Sequence, residues 1–468
     1  MTVDVKQFFN KELSENKIHF ISLGCPRNLV DSEVMLGLLL QAGYEVCDDP
    51  RDADYFVLNT CAFLKAARDE VEEHLDKLVK VKKPTAKIIL TGCMVSKHKE
   101  ALKPWFPHIH YMLGSGNVES ILEAISSKER GEKIDAKSYL EAGEVPRKLS
   151  TPKHYAYLKI AEGCRKQCSF CIIPSIKGKL RSKPLDRVLK EFRILLSQGV
   201  KEIILIAQDL GDYGKDISGK SMLVDLLRAI LKEKGVFWIR MLYLYPDEVN
   251  DEIIALMKED SRLLPYLDMP IQHINDRILK AMFRKTSGAE IRHTLKRLRE
   301  QVPLVKIRSS IIVGFPGETE EEFCELVDFV KEGLIDNLGI FTYSQEEGSH
   351  AAKLESQISN REKSRRLSVL SKIQQKIVEK KNLSYVGKKM IAVVDGYHPD
   401  SSLLLAARFY GQAPEIDGCI VINDARKVSN LGEWYEVEIT GVIGYDLVGR
   451  VVSKASYSRD PIEEKEVL

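Results

Sequence analysis

Cys164, Cys168 and Cys171 fall within one short run, AEGCRKQCSFCIIP. Thiolates are soft ligands that suit iron–sulfur clusters and zinc. A structural zinc site closes with four protein ligands, whereas this run supplies three sulfurs and no histidine. A 4Fe–4S cluster held by three thiolates keeps one iron open to a small molecule, which is a chemical reason to place three cysteines here. The alternative is a zinc knuckle completed by a distant fourth ligand.

A second set of cysteines emerges from the elements that must carry them. IHFISLGC reads as a buried strand, and NLVDSEVMLGLLLQAG as the helix after it, with Asp31 or Ser32 near its start and Gly43 at its end. YEVC, ADYFVLNTC, KIILTGC and YMLGSG supply further strands with helices between them. Such alternation predicts a parallel, doubly wound sheet, whose ligands bind outside the carboxyl ends of the strands. Cys25, Cys61 and Cys93 fall at the ends of the first, third and fourth strands. In the strand order 2-1-3-4-5 these strands are neighbours about 4.8 Å apart, so the three thiols would share one crevice. Gly24 and Gly92, each just before a cysteine, would let the backbone approach a cluster closely. Against this stands the abundance of cysteine in buried strands generally. Cys47 ends the edge strand and reads as a small, half-buried residue.

The organisation that follows is α/β: a first domain over residues 18–126, a polar linker over 127–152, a barrel over 153–384 and a small β-barrel over 385–455. YAYLKIAEG, KEIILIAQ, FWIRMLYLY, LPYLDMP, LVKIRSSIIVG and LGIFTY read as six strands with amphipathic helices between them. Six units are too few to close the eight-stranded barrel, and an open side admits a large substrate. Residues 361–382 form a helix with eight Lys/Arg against two Asp/Glu, read as a solvated face. Five short strands at the end suggest a closed OB-like barrel, and Cys419 within it reads as core.

The spacing of Cys164, Cys168 and Cys171 resembles that of the radical S-adenosylmethionine (SAM) enzymes. SLGCPRNLVDSE, LNTCAF and TGCMV are similar to the N-terminal domain of the methylthiotransferases, a branch of that family. The last stretch resembles a TRAM domain. The resemblance spans essentially the whole chain and implies two 4Fe–4S clusters. One, on Cys164, Cys168 and Cys171, chelates SAM and splits it to a 5′-deoxyadenosyl radical. The other, on Cys25, Cys61 and Cys93, is an auxiliary cluster that takes part in sulfur delivery. An electron donor such as a flavodoxin is implied, with SAM serving as both methyl donor and radical source. No side-chain general base is expected, because the cofactors carry the hard step.

Other strand ends are read beside that resemblance. Phe170 is an aromatic wall near the adenine or ordinary packing. Gln208 and Asp209 end the second barrel strand and could meet the amino group of SAM. Arg308, a guanidinium among apolar neighbours, needs an anion: the SAM carboxylate or a barrel acid. Gly314 and Gly317, in GFPGETEEEF, resemble the SAM-contacting turn. Cys324 and His273 read as core residues.

With 468 residues, 44% hydrophobic and 29% charged, the chain reads as a multidomain globular protein. No apolar run approaches a membrane span and the N-terminus lacks a secretory core, so the expected setting is the cytosol, with no membrane partner. Nine cysteines without export features favour metal or redox chemistry over disulfides. Residues 385–455 hold seven Lys/Arg and nine Asp/Glu. An RNA-binding surface needs a basic footprint; a mildly acidic barrel suits a basic protein instead. SLGCPRNLVDSE, AEGCRKQCSFCIIPS, QDLGDYG and RFYGQAPEIDG look most like the branch that methylthiolates the β-carbon of an aspartate in small-subunit ribosomal protein S-twelve. The rivals are the branch acting on an adenosine of transfer RNA and a non-catalytic iron–sulfur redox sensor that binds RNA.

Overall fold

The computed structural model describes residues 16–135, 140 and 146–457. β1 (Lys17–Ser22), β2 (Glu45–Val46), β3 (Tyr55–Thr60), β4 (Lys87–Gly92), β5 (Ile109–Gly114) and β6 (Gly131–Lys133) form one sheet. Its order is β2-β1-β3-β4-β5-β6 and every pairing is parallel. YFVLNT in β3 is buried at every position, because helices cover both faces of a parallel sheet and leave no polar side. The order is the expected one plus β6, which falls in the stretch expected as linker. A three-residue, polar edge strand carries no hydrophobic period by which a sequence could mark it.

β7 (Tyr155–Lys159) leads into a two-stranded ribbon of β8 (Ala161–Glu162) and β9 (Arg181–Ser182). β10 (Glu202–Ile206), β11 (Trp238–Met241), β12 (Leu263–Asp268), β13 (Lys306–Val313) and β14 (Asn337–Thr342) then join β7 in an open parallel sheet, ordered β14-β13-β12-β11-β10-β7. Alternate residues divide between two cores. Ala156, Leu158, Ile203, Leu205, Ile239 and Ile307 pack with the surrounding helices. Tyr155, Tyr157, Ile204, Trp238, Leu264 and Tyr266 face inward and pack with the C-terminal domain.

That domain is a closed barrel of β15 (Lys389–His398), β16 (Ser401–Phe409), β17 (Ile420–Asp424), β18 (Trp434–Ile443) and β19 (Asp446–Lys454). It plugs the bottom of the open barrel through buried charge. Glu202, 1% exposed, accepts from Arg240 Nε at 2.7 Å and Arg408 Nη1 at 2.9 Å. Tyr155 donates to Glu415 at 2.9 Å and Tyr266 to Asp417 at 2.6 Å, so the acids of RFYGQAPEIDG are seated on barrel tyrosines. With the amino ends of the strands covered, the carboxyl ends are left to the N-terminal domain.

The N-terminal domain closes over them on one side through the helix Pro26–Gln41 and on the other through the helix Lys65–Val81. Asp31 pairs with Lys159 and, at 3.4 Å, with Lys177, which also holds Glu162 at 2.6 Å. Glu33 and Glu191 clasp Arg147 at 2.6 and 2.7 Å. Beyond β14, Glu346 accepts from Arg68 at 2.7 Å and from the Lys65 amide at 3.1 Å. No helix among the described residues is long and apolar enough to cross a membrane.

Candidate active site

Cys25 caps the helix Pro26–Gln41, its carbonyl accepting from the amides of Asn28 (2.8 Å) and Leu29 (3.1 Å). Cys61 follows β3 directly and Cys93 opens the helix Cys93–His98 directly after β4. Polar side chains sew the three strand ends together. Asn59 Nδ2 donates to the Asn28 carbonyl at 3.0 Å, Thr60 Oγ1 to the Thr91 carbonyl at 2.6 Å, and the Met94 amide to Thr60 Oγ1 at 3.2 Å. A Cβ on Gly24 would lie 2.8 Å from Cys61 Cβ, and one on Gly92 would lie 2.5 Å from both Thr60 O and Asn59 Oδ1. The two glycines therefore allow one strand-end loop to approach the next.

The second trio sits on a loop held from several sides. The Cys164 amide donates to the Gly178 carbonyl at 3.3 Å, and the Cys171 amide to the Cys168 carbonyl at 3.0 Å. Ser169 bonds Met282 and Ala351 through its backbone and Ala281 through its hydroxyl. Cys171 Sγ accepts from the Ile173 amide at 3.4 Å; Cys168 Sγ faces Arg284 Nη1 at 3.7 Å and the Tyr245 hydroxyl at 3.6 Å. Donors aimed at sulfur stabilise thiolate ligands and tune a cluster they hold.

Burial raises the thiols of Cys93 and Cys164 to about 12 and of Cys171 to about 11, and pushes Cys61 up as well. Such groups lose their protons when a metal replaces them. Burial also raises Cys25, but the charge of Arg27 and the Asn28 amide outweigh it, and Cys25 lies below the usual thiol range.

Two trios of soft sulfur donors suit iron–sulfur clusters by their chemistry. A tetrahedral zinc with Zn–S near 2.3 Å would draw its sulfurs to about 3.8 Å from one another. Among the described residues, the trios of ligand atoms within 4.8 Å of one another are His398–Cys419–Asp446 and Asp209–Asp212–Glu248; neither predicted cysteine trio is that tight.

Arg27 reaches from the N-terminal domain to the end of a barrel strand. Its Nη1 donates to the carbonyl of Ala207, at the end of β10, at 2.8 Å, and its guanidinium lies 4.8 Å over the Tyr243 ring. Its charge favours the thiolate at Cys25 and Cys61 on one side and at Cys171 on the other. No reading of the sequence singled it out, although it lies two residues from Cys25. A charged residue opening a helix ordinarily means a solvated face.

Around Cys164 the polar strand ends converge. Asp209 is 2% exposed and pushed up to about 9 by burial and by its hydrogen bond to Glu248. Lys166 bridges Asp209 at 3.3 Å and Glu248 at 2.9 Å. Gln208 keeps a buried Oε1 without a hydrogen-bond partner. Phe170 packs with Ile278, Met282, Phe315 and Tyr343, which ties the cysteine loop to the turn at Gly314. That turn is built on Glu318, whose carboxylate accepts from the amides of Gly314 and Phe315. Arg366 lies 3.3 Å from the other oxygen of Glu318. Gly317 leaves this carboxylate alone and donates to the Ser356 carbonyl at 2.7 Å.

Of the two roles expected for Arg308, the ion pair is present: Asp268 and Asp417 each lie 3.4 Å from it. His273 is fully buried and accepts from the Asn275 amide at 3.0 Å, as a core histidine does. Cys324 is exposed, contrary to the core assignment, because the buried stripe of its helix runs through Phe323, Leu326 and Phe329.

Comparison with known proteins agrees with this layout. Residues 17–114 match the family described as Uncharacterized protein family UPF0004, residues 158–330 the Radical SAM superfamily and residues 386–452 the TRAM domain. A radical S-adenosylmethionine methyltransferase from Kitasatospora setae, TsrM, solved with cobalamin and a 4Fe-4S cluster bound, shares the fold at TM-score 0.50 and 15% identity, over 70% of this chain and 75% of that one. Curated relatives are far more similar in sequence. Ribosomal protein uS12 methylthiotransferase RimO of Chlamydia felis is 67% identical over 97% of this chain and 99% of its own. The protein of the same name from Protochlamydia amoebophila is 59% identical over 93% of each chain. That from Bdellovibrio bacteriovorus is 41% identical over 94% of this chain and 99% of its own. Identity at this level, sustained through all three domains, places the chain in the RimO family of radical SAM methylthiotransferases, to which it belongs.

Proposed function

We propose that this protein adds a methylthio group to the β-carbon of an aspartate in ribosomal protein uS12. In this reading Cys164, Cys168 and Cys171 hold one 4Fe–4S cluster and Cys25, Cys61 and Cys93 hold the other. When bound, the clusters and SAM supply one-electron hydrogen abstraction and the transfer of sulfur and methyl groups, chemistry no side chain performs. The chain's part is to bind, orient and exclude water. The Ile173 amide and Arg284 direct hydrogen bonds at Cys171 and Cys168. Gln208 and Asp209 offer polar atoms for the amino group of SAM, Gly314 offers backbone, and Phe170 offers an apolar wall. Arg308 is retained by Asp268 and Asp417 and steadies the barrel floor. An electron donor such as a flavodoxin would serve the cluster on Cys164, Cys168 and Cys171, in the cytoplasm and without a membrane.

The observation that carries this reading is that Arg27, two residues from Cys25, donates to the Ala207 carbonyl just after β10, which holds the loop bearing Cys25 against the carboxyl end of a barrel strand. The test is direct. With SAM, a reductant and either substrate, mass spectrometry should find the methylthio group on uS12 and none on transfer RNA; modified transfer RNA with unmodified uS12 would reject the proposal. After anaerobic reconstitution, Cys164→Ala and Cys61→Ala should each retain roughly half the wild-type iron. Loss of none, or zinc in its place, would refute the two-cluster assignment.

A further inference from the structure

The charged side chains around the two trios divide into those with a carboxylate partner and those without. Lys166 has Asp209 and Glu248, Lys177 has Glu162 and Asp31, and Arg308 has Asp268 and Asp417. Arg284 has no carboxylate partner among the described residues, but its Nη1 faces Cys168 Sγ at 3.7 Å, its Nη2 bonds the Pro270 carbonyl and its plane lies 4.0 Å over Tyr245. Arg27 differs. It makes no ion pair among the described residues, it is held by the Ala207 carbonyl and the Tyr243 ring with Cys25 beside it in the chain, and it is only partly buried.

A guanidinium presents five donors in a planar fork that matches a carboxylate. Arg27 uses one Nη on Ala207 and lies over the Tyr243 ring, so its guanidinium is oriented while no carboxylate among the described residues pairs with it. It is also the place where a negative ligand most needs a counter-charge. A carboxylate brought into a poorly screened site needs a cation to hold it.

We propose that Arg27 is the receptor for the side-chain carboxylate of the target aspartate. This rests on the uS12 reading above and deepens it. In aspartate the β-carbon is bonded directly to the carboxyl carbon, so clamping the carboxylate holds the reacting carbon where Arg27 meets the end of β10. The same residue would thereby set the preference for aspartate over asparagine. The SAM molecule also carries a carboxylate, and the experiment must separate the two sources.

The reconstituted enzyme, kept unreduced so that no chemistry occurs, is titrated with uS12 and with uS12 in which the target aspartate is asparagine. The target position is first identified by mass spectrometry of the wild-type product. Wild type should bind the aspartate form roughly tenfold to a hundredfold more tightly, the effect of one charge-assisted hydrogen-bonded pair. Arg27→Gln should bind both forms equally weakly, and Arg27→Lys should recover part of the preference. Binding is compared on preparations matched for iron content, and SAM affinity should be unchanged in both variants. Discrimination by Arg27→Gln equal to that of wild type would overturn the proposal. So would weakened SAM binding in Arg27→Gln, which would assign the guanidinium to the SAM carboxylate. If wild type fails to modify uS12 at all, the functional reading falls and this inference with it; if wild type modifies uS12 but Arg27→Gln discriminates normally, this inference falls alone.

Discussion

Gly92→Ala separates the geometry of the dispersed thiol trio from general stability. Gly92 has φ 100° and ψ −158°, a region open essentially to glycine, and an alanine there costs about 1–3 kcal/mol in backbone strain. Its Cβ would stand 2.5 Å from the Thr60 carbonyl and 2.9 Å from the Thr60 amide, both backbone atoms just ahead of Cys61. Relief requires the end of β3 to move, and overpacking of this kind costs about 1–3 kcal/mol more. Gly43 is the control. Its φ is 92°, but a Cβ there meets nothing within 4 Å, so Gly43→Ala carries the backbone term alone, about 1–2 kcal/mol. Urea unfolding should rank Gly92→Ala below Gly43→Ala by roughly the overpacking term. Iron content after anaerobic reconstitution should fall by about half in Gly92→Ala, with the SAM-binding site intact, and stay at wild type in Gly43→Ala. Equal iron in the two variants, or a Gly92→Ala stability within about 0.5 kcal/mol of Gly43→Ala, would refute the argument that Gly92 sets the spacing of Cys61 and Cys93.

Two further outcomes concern the frame around the site. Asp336 is held at about 2, burial pushing it up and Lys306, Arg299 and Lys381 more than offsetting that. Its folded value lies below the unfolded value near 3.9, so it contributes about 2 kcal/mol that is fully present above pH 4 and lost as pH falls toward 2. Asp336→Asn should therefore be destabilised at pH 7 and lose less than wild type between pH 4 and 2 by urea unfolding; parallel pH profiles would contradict this. Arg408→Ala removes a buried guanidinium shared by Glu202 and Asp395, each of which keeps a second partner in Arg240 or His154. A loss of about 2–4 kcal/mol and faster limited proteolysis of the C-terminal barrel are expected, and wild-type resistance to protease would show that this network does not seat that domain.

What the sequence discloses about this site depends on how local each feature is. The contiguous trio needs no fold to be seen, because Cys164, Cys168 and Cys171 are neighbours in the chain. Cys25, Cys61 and Cys93 are far apart, yet legible, because strand ends in a parallel sheet converge by rule and each cysteine marks one. Arg27 and Glu318 escape for opposite reasons. Arg27 looks like any charged residue opening a helix, and only its placement against Ala207 and Tyr243 gives it meaning. Glu318 sits in an acidic run, GETEEEF, where nothing in the sequence separates the one carboxylate folded back onto Gly314 from its solvated neighbours. Cys324 was misjudged through a single step in helical phase, and β6 was too short and polar to announce itself.

The helix Pro26–Gln41 has a consequence for how this chain tolerates change. Along little more than two turns it presents Cys25 at its cap, Arg27 toward Tyr243, Asp31 toward Lys159 and Glu33 toward Arg147. One residue added or deleted between them would rotate everything downstream by about 100° and shift it by about 1.5 Å. A sulfur could then be kept only by surrendering the grip on the barrel. Length variation is thus barred from this stretch while point changes on its outer face are not, and the helix works as a gauge block that sets the separation between two sulfur-lined rims.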